Sequence, residues 1–359
     1  MNLRLGRFGK QEAAAAVGLA ALISGTFSVN VGETFARGTV SYAATAAGAV
    51  LAILLLMLLD KAVGRLGEED LSGLLARGLG PLLALPLVLG LVLAAVLPLF
   101  RFTLAMERYI FVEAAYEPIV LYLLPVLLLM VLCGMECVAR MAKLLAVPGA
   151  LALIMTLLLA SPAFDIGHLF PLFSPGFFAF LEQTSQALFR FLPPGVALFV
   201  TGRGCQGRQN TMDGVRRGLA LGGLGAFWMH LGLGLTFFGP DMASLSSPVY
   251  CMTMAARQER LGLRLDVLVL FLWVMTGLVA TAFYTYAAAL LLSRVTGVED
   301  VRPMGALLTL LVMGLVLLFN FDSDVILGFV RLIYRQGHLL FLIPLGLILA
   351  RSLLQRRAG

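Results

Sequence analysis

Phe189-Arg190-Phe191-Leu192-Pro193-Pro194-Gly195-Val196-Ala197-Leu198-Phe199 lies in the middle of a run apolar enough to cross a membrane, yet it holds two adjacent prolines and a glycine. A proline inside a helix offers no N–H to the carbonyl one turn back, and its ring clashes there. The stretch therefore predicts a helix break near Pro194. In hydrocarbon, freed backbone groups persist only where other protein or a polar cavity satisfies them. The rest of the chain is expected to pack around this break. The ordinary alternative is a proline kink in a packing helix.

Working outward, 60% of the 359 residues are hydrophobic and 13% are charged, with a mean hydropathy of +0.96. Those values exclude a soluble globular domain and fit an all-α polytopic membrane protein. Strands of a membrane barrel would alternate apolar and polar residues, and these runs do not. The net charge of +6 does not indicate nucleic acid, because the basic residues sit in short loops between apolar runs and read as topology signals. Four cysteines are too few for a disulfide framework. Cys133 and Cys137 read as small packing residues on one helix face. Arg4, Arg7 and Lys10 precede an apolar run of span length without a convincing cleavage site, so the run reads as a retained first helix.

Runs of about 20 residues, enough to span, fall at 11–32, 38–59, 81–101, 118–138, 144–161, 183–202, 216–238, 266–292, 303–320 and 337–353, making ten. With the N-terminus inside, 17 of the 26 basic residues and 9 of the 20 acidic ones lie on the inner side. The positive excess places both termini in the cytoplasm. Glu68, Glu69 and Asp70 ahead of Leu71, Leu74 and Leu75 predict a short amphipathic interfacial helix. The Phe-, Pro- and Gly-rich 164–180 segment reads as an outer loop or short helix tucked against the bundle, part of a lid. Gly214, Gly218 and Gly222 permit close helix contact.

A second break is expected in the first span, where Gly25 stands among Ser24, Thr26 and Ser28, followed by Phe27 inside the same stretch. Spans one and six are equivalent if the chain is one transmembrane domain over 1–359, built as a transporter-like 5+5 inverted repeat (11–161 and 183–353). Interrupted helices at corresponding positions point to a binding site near the midplane. Half-helix N-termini suit a carboxylate, and half-helix C-termini suit an ammonium. A small zwitterion such as an amino acid fits both. The ligand-binding residues expected from this geometry are Ser24, Gly25, Thr26, Phe27, Phe191, Pro194 and Gly195. Span eight adds the hydroxyls of Thr276, Thr281 and Tyr284, each threonine weighed against bonding to its own helix.

The sequence Arg264-Leu-Asp266, Trp273 seven residues after that aspartate, Tyr284, Tyr286-Ala-Ala-Ala and Gly297-Val-Glu-Asp-Val-Arg302-Pro303 resembles the spore germination permease family, the B subunits of spore germinant receptors. That family is related to the amino acid–polyamine–organocation transporters. The likeness extends to length, the span-one glycine, the Asp165…Leu169-Phe170-Pro171 approach to span six and the Pro-Gly break. One departure is that Val196 follows Gly195 where family members commonly carry an acid, which leaves backbone to hold the ligand. The resemblance implies a germinant-sensing subunit in the spore inner membrane. Its partners would be a larger A subunit and a C-subunit lipoprotein. An ion-coupled amino acid transporter is the alternative.

Ionisable residues within spans are few. His230 reads as neutral and hydrogen-bonded between helices, Glu136 as paired with Arg140, and Arg190 as snorkelling outward or gating with Glu33 or Asp322. The formal dinucleotide fingerprint Gly202-Arg-Gly204-Cys-Gln-Gly207 follows a span rather than a strand and carries no weight. No Walker loop, Ser-His-Asp set, paired carboxylates or clustered metal ligands occur, so neither an enzyme nor a cofactor or metal is expected.

Overall fold

The structure, a computed structural model, describes residues 6–28, 39–66, 71–76, 80–111, 115–205, 207–238, 241–242, 245, 247–255, 265–321 and 324–358. Among them every regular element is helical. In chain order these are α1 (Lys10–Phe27), α2 (Val40–Arg65), α3 (Leu71–Leu75), α4 (Gly80–Tyr109), α5 (Tyr116–Cys133), α6 (Met135–Ala160) and α7 (Phe177–Val200). They continue with α8 (Arg208–Thr236), α9 (Pro248–Ala255), α10 (Leu265–Thr296), α11 (Val301–Phe319), α12 (Asp324–Gln336) and α13 (Leu339–Ala358).

Among the described residues, eight helices are long and apolar enough to cross a membrane, against the ten spans expected. The two long helices outside that group are α1, which opens with Lys10, Gln11 and Glu12, and α7, which carries Glu182, Gln183 and Arg190. They are also the two for which breaks were expected.

The helices pack as two groups. α1 lies along α8 on a seam of small residues, and α2 lies along α7 and α8. A Cβ on Gly218 would come within 2.6 Å of Val17 Cβ and 2.7 Å of the Ala14 carbonyl, so only hydrogen fits there. The second group sets α10 against α4 and α11 against α5, while α6 touches α1 and α10. The 161–176 connection folds back onto the first group. The Asp165 N–H donates to the Leu235 carbonyl at 2.8 Å, at the end of α8.

Several expectations are corrected. α7 runs without interruption through Pro193, Pro194 and Gly195. A proline's φ is itself helical. Every residue from Ala187 to Thr201 is buried, so the surrounding helices hold the chain on its path although two donors are missing. α1 likewise continues through Gly25 and stops at Phe27, where the Ser28 N–H caps the Ser24 carbonyl at 3.1 Å. The expected mid-helix gap there is a helix end.

The fourth and fifth spans meet at Gly134, whose φ of +91° is open to glycine at little cost. Cys133 and Cys137 therefore belong to different helices rather than one face. The Glu136–Arg140 pair, at 2.5 Å, stands in the first turns of α6. The interfacial helix is only the five residues of α3, all of them buried. The acids expected to precede it lie outside the described residues.

Candidate functional site

The last carbonyls of any helix lack donors from within it, and at the end of α1 they are met by side chains. His230 Nε2 donates to the Gly25 carbonyl at 3.0 Å. Its Nδ1 lies 2.8 Å from the Thr45 hydroxyl, which also reaches the Ser41 carbonyl at 2.9 Å. The ring thus ties α1 to α2 and α8, as expected of a histidine hydrogen-bonded between helices. The Tyr284 hydroxyl donates to the Ala20 carbonyl at 3.2 Å, which leaves Ser24 as the donor in the 2.7 Å contact between Ser24 and Tyr284. This joins α1 to α10. Gly25 stands where α1, α7 and α8 cross. A Cβ there would come within 2.5 Å of Ala226 Cβ and 3.2 Å of the Phe191 ring.

One turn of α1 also borders a narrow, partly open cleft with about 30 Å³ of internal room, enough for a water molecule in this arrangement. Thr26, Phe27, Arg101, Ser247, Tyr250 and Trp273 line it. Its wall is aromatic, with the Phe27 ring 4.3 Å from Phe102 and 5.2 Å from Trp273, centroid to centroid. Trp273 is fixed by donating Nε1–H to the Thr156 hydroxyl at 3.1 Å, and Tyr250 by donating to Asp266 at 2.7 Å. The hydroxyl oxygens of Thr26 and Ser247 are buried without a hydrogen-bond partner. Such groups are uncommon in folded protein and are free to serve a polar ligand. A concave, apolar pocket with a few free polar groups is the usual form of a small-molecule site.

The ten expected residues are therefore not all in one place. Ser24, Gly25, Thr26, Phe27, Phe191 and Tyr284 gather at the end of α1. Thr276 turns its hydroxyl to the Leu272 and Trp273 carbonyls of its own helix, at 3.0 and 2.9 Å, and its methyl toward Gly149 of α6. Gly195 faces Leu56 of α2. Pro194 is enclosed within α7, and Thr281 is buried with its hydroxyl unpaired. Sequence reasoning missed Arg101, Phe102 and Ser247, which come from α4 and the segment before α9. Trp273 and Asp266 entered it only as part of the family resemblance.

The quoted family residues acquire local reasons. Gly297 holds a φ of +74°, and Asp300 caps α11 by accepting the Arg302 N–H at 3.0 Å. Arg190 corrects the snorkelling expectation, since it is only 4% exposed. Glu33 and Asp322, its expected gating partners, lie outside the described residues.

The family model described as spore germination protein matches residues 44–213, just under half of the chain. No match is found among curated proteins. Among solved structures, the chain is similar to a nucleobase-cation-symport-1 family transporter in a closed conformation with bromovinylhydantoin bound. The TM-score is 0.69 at 16% identity, over 99% of this chain and 80% of that one. It is similar to a Na⁺-coupled sialic acid symporter in a substrate-bound outward-open state, with TM-score 0.62, 11% identity and coverages of 95% and 79%. The manganese transporter of Eremococcus coleocola follows, with TM-score 0.53, 15% identity and coverages of 95% and 77%. Over residues 44–213, then, the chain carries the spore germination protein family's pattern, built into a membrane-transporter fold.

Proposed function

We propose that the chain is the germinant-sensing membrane subunit of a spore germinant receptor, taking an amino acid or similar small solute at the end of α1. The family match over residues 44–213 carries this reading. The cleft with its aromatic wall and unpaired Thr26 and Ser247 hydroxyls supports it. In this reading α1 and α7 join the eight apolar helices as two further spans. The ten form two inverted repeats of five, with both termini on the cytoplasmic side of the spore inner membrane. An A subunit and a C-subunit lipoprotein are the partners that receive the signal. Ligand binding shifts the helix arrangement only through a difference in affinity between two states. The test is germination of spores lacking the chain, challenged with a mixture of the standard amino acids. Response is lost in the deletion and restored by the intact chain. An unchanged response in the deletion strain overturns the proposal.

A second reading, an ion-coupled amino acid transporter, is favoured by the fold shared with two symporters. Labelled amino acids in liposomes containing the purified chain separate the two. A sensor gives background flux under sodium or proton gradients, and a transporter gives gradient-dependent uptake.

A further inference from the structure

The uninterrupted course of α7 changes what its middle can recognise. Pro193 and Pro194 withhold donors from the Phe189 and Arg190 carbonyls, so the helix there gains free acceptors and no free N–H groups. Acceptors suit a cation. The carboxylate half of a zwitterion needs donors, and the half-helix N-terminus expected to supply them does not exist in α7.

Arg190 supplies them. It is 4% exposed, and its Nη1 is buried with no hydrogen-bond partner. Among the described residues no carboxylate pairs with it, and its charge is felt by His230, which carries no negative charge. Guanidinium stays protonated in proteins. Taking such a charge out of water without a partner is strongly unfavourable. The carbonyls ending α1, one of them bound by His230, offer partial negative charge and offset only part of that cost. Arg190 adjoins Phe191, whose ring touches Gly25, and the nearby turn of α1 holds two more buried, unpaired oxygens, on Thr26 and Ser28.

We infer that Arg190 is the anion receptor of this site and restricts its ligands to those bearing a carboxylate. The carboxylate takes paired N–H donors from the planar guanidinium, and a ligand ammonium is left to the free carbonyls of α1 and α7. The inference rests on the proposed sensing role, but it is tested separately.

The experiment measures thermal stabilisation of the purified full-length chain in detergent. The probes are an equimolar mixture of the standard amino acids, the matching amino acid amides, sodium acetate, and sodium chloride at equal ionic strength. The variants are Arg190→Gln and Arg190→Lys. The acids raise the midpoint of the intact chain, and the amides and chloride do not. Arg190→Gln weakens the acids by about 100-fold or more. Arg190→Lys, a point charge without the fork, weakens them by about 10-fold. Without ligand, Arg190→Gln unfolds at the same temperature as the intact chain or higher, because it removes an unpaired buried charge. A lower ligand-free midpoint means a structural ion pair and overturns the inference, as does equal stabilisation of both chains by the acids. Stabilisation by amides or chloride equal to that by acids also overturns it. If acetate alone acts, and only through Arg190, the anion receptor stands while the amino acid reading falls. If no probe stabilises the intact chain, both fall.

Discussion

α1 and α7 present the same sequence problem, a helix-weakening motif inside an apolar run, and the fold answers it differently. At the end of α1 the helix stops, and polar side chains from two neighbouring helices, His230 of α8 and Tyr284 of α10, meet its carbonyls and the Ser24 hydroxyl. In α7 the helix continues past two prolines, buried on all sides by the surrounding helices. The first solution specifies directions through hydrogen bonds. The second relies on confinement, because proline already has helical φ and loses only its donor and some clearance. Breaking a helix and merely depriving it of donors are therefore separate outcomes, and neighbours decide between them.

That contrast can be broken most strongly at Pro194. Pro194→Ala returns an N–H to the Arg190 carbonyl and relieves the ring clash. The thermal midpoint of the purified chain should rise, by an amount corresponding to as much as about 3 kcal/mol. A fall would mean that confinement needs the proline ring itself.

Gly25→Ala tests the crossing on the other side. Its methyl lands 2.5 Å from Ala226 Cβ and against the Phe191 ring. Destabilisation of about 1–3 kcal/mol is expected, with a reduced yield of folded protein by size-exclusion chromatography. His230→Leu sharpens the account of α1. It leaves the Gly25 carbonyl and the Thr45 hydroxyl without their shared partner, at a cost of about 1–3 kcal/mol. His230→Gln, which keeps a donor, should recover part of the lost thermal midpoint. The smallest effect belongs to Tyr284→Phe. It removes one hydroxyl that serves Ser24 and Ala20 and should lower stability by about 1 kcal/mol.

Much of the fold was legible because membrane spans are written in continuous apolar length. The small-residue seam of α8 was legible because four-residue spacing maps onto one helix face. His230 was readable as a bridging residue because a polar group in a span needs a partner. The path of α7 was hidden, since the proline rule describes a helix without walls, and the walls come from residues distant in sequence. The turn at Gly134 was hidden because apolar residues precede it and span length alone gave no stop. The depth of Arg190 was hidden for a similar reason. A long cationic side chain in an apolar run looks the same whether it reaches the interface or stays inside. The cleft draws Arg101 from α4 and Ser247 from the segment before α9, and no spacing pattern links those positions to α1.

The Gly218 seam has a mechanical consequence. With no side chain between the backbones, α1 and α8 cannot slide past one another without a clash, so the pair behaves as a weld. The joints from α1 to α10 are of another kind, the Tyr284 hydroxyl bonded to both Ser24 and the Ala20 carbonyl and one aromatic contact between Phe27 and Trp273. Each is worth only about 1 kcal/mol, which makes them latches. These lighter contacts border the cleft, which Thr26 and Phe27 of α1 and Trp273 of α10 line from either side.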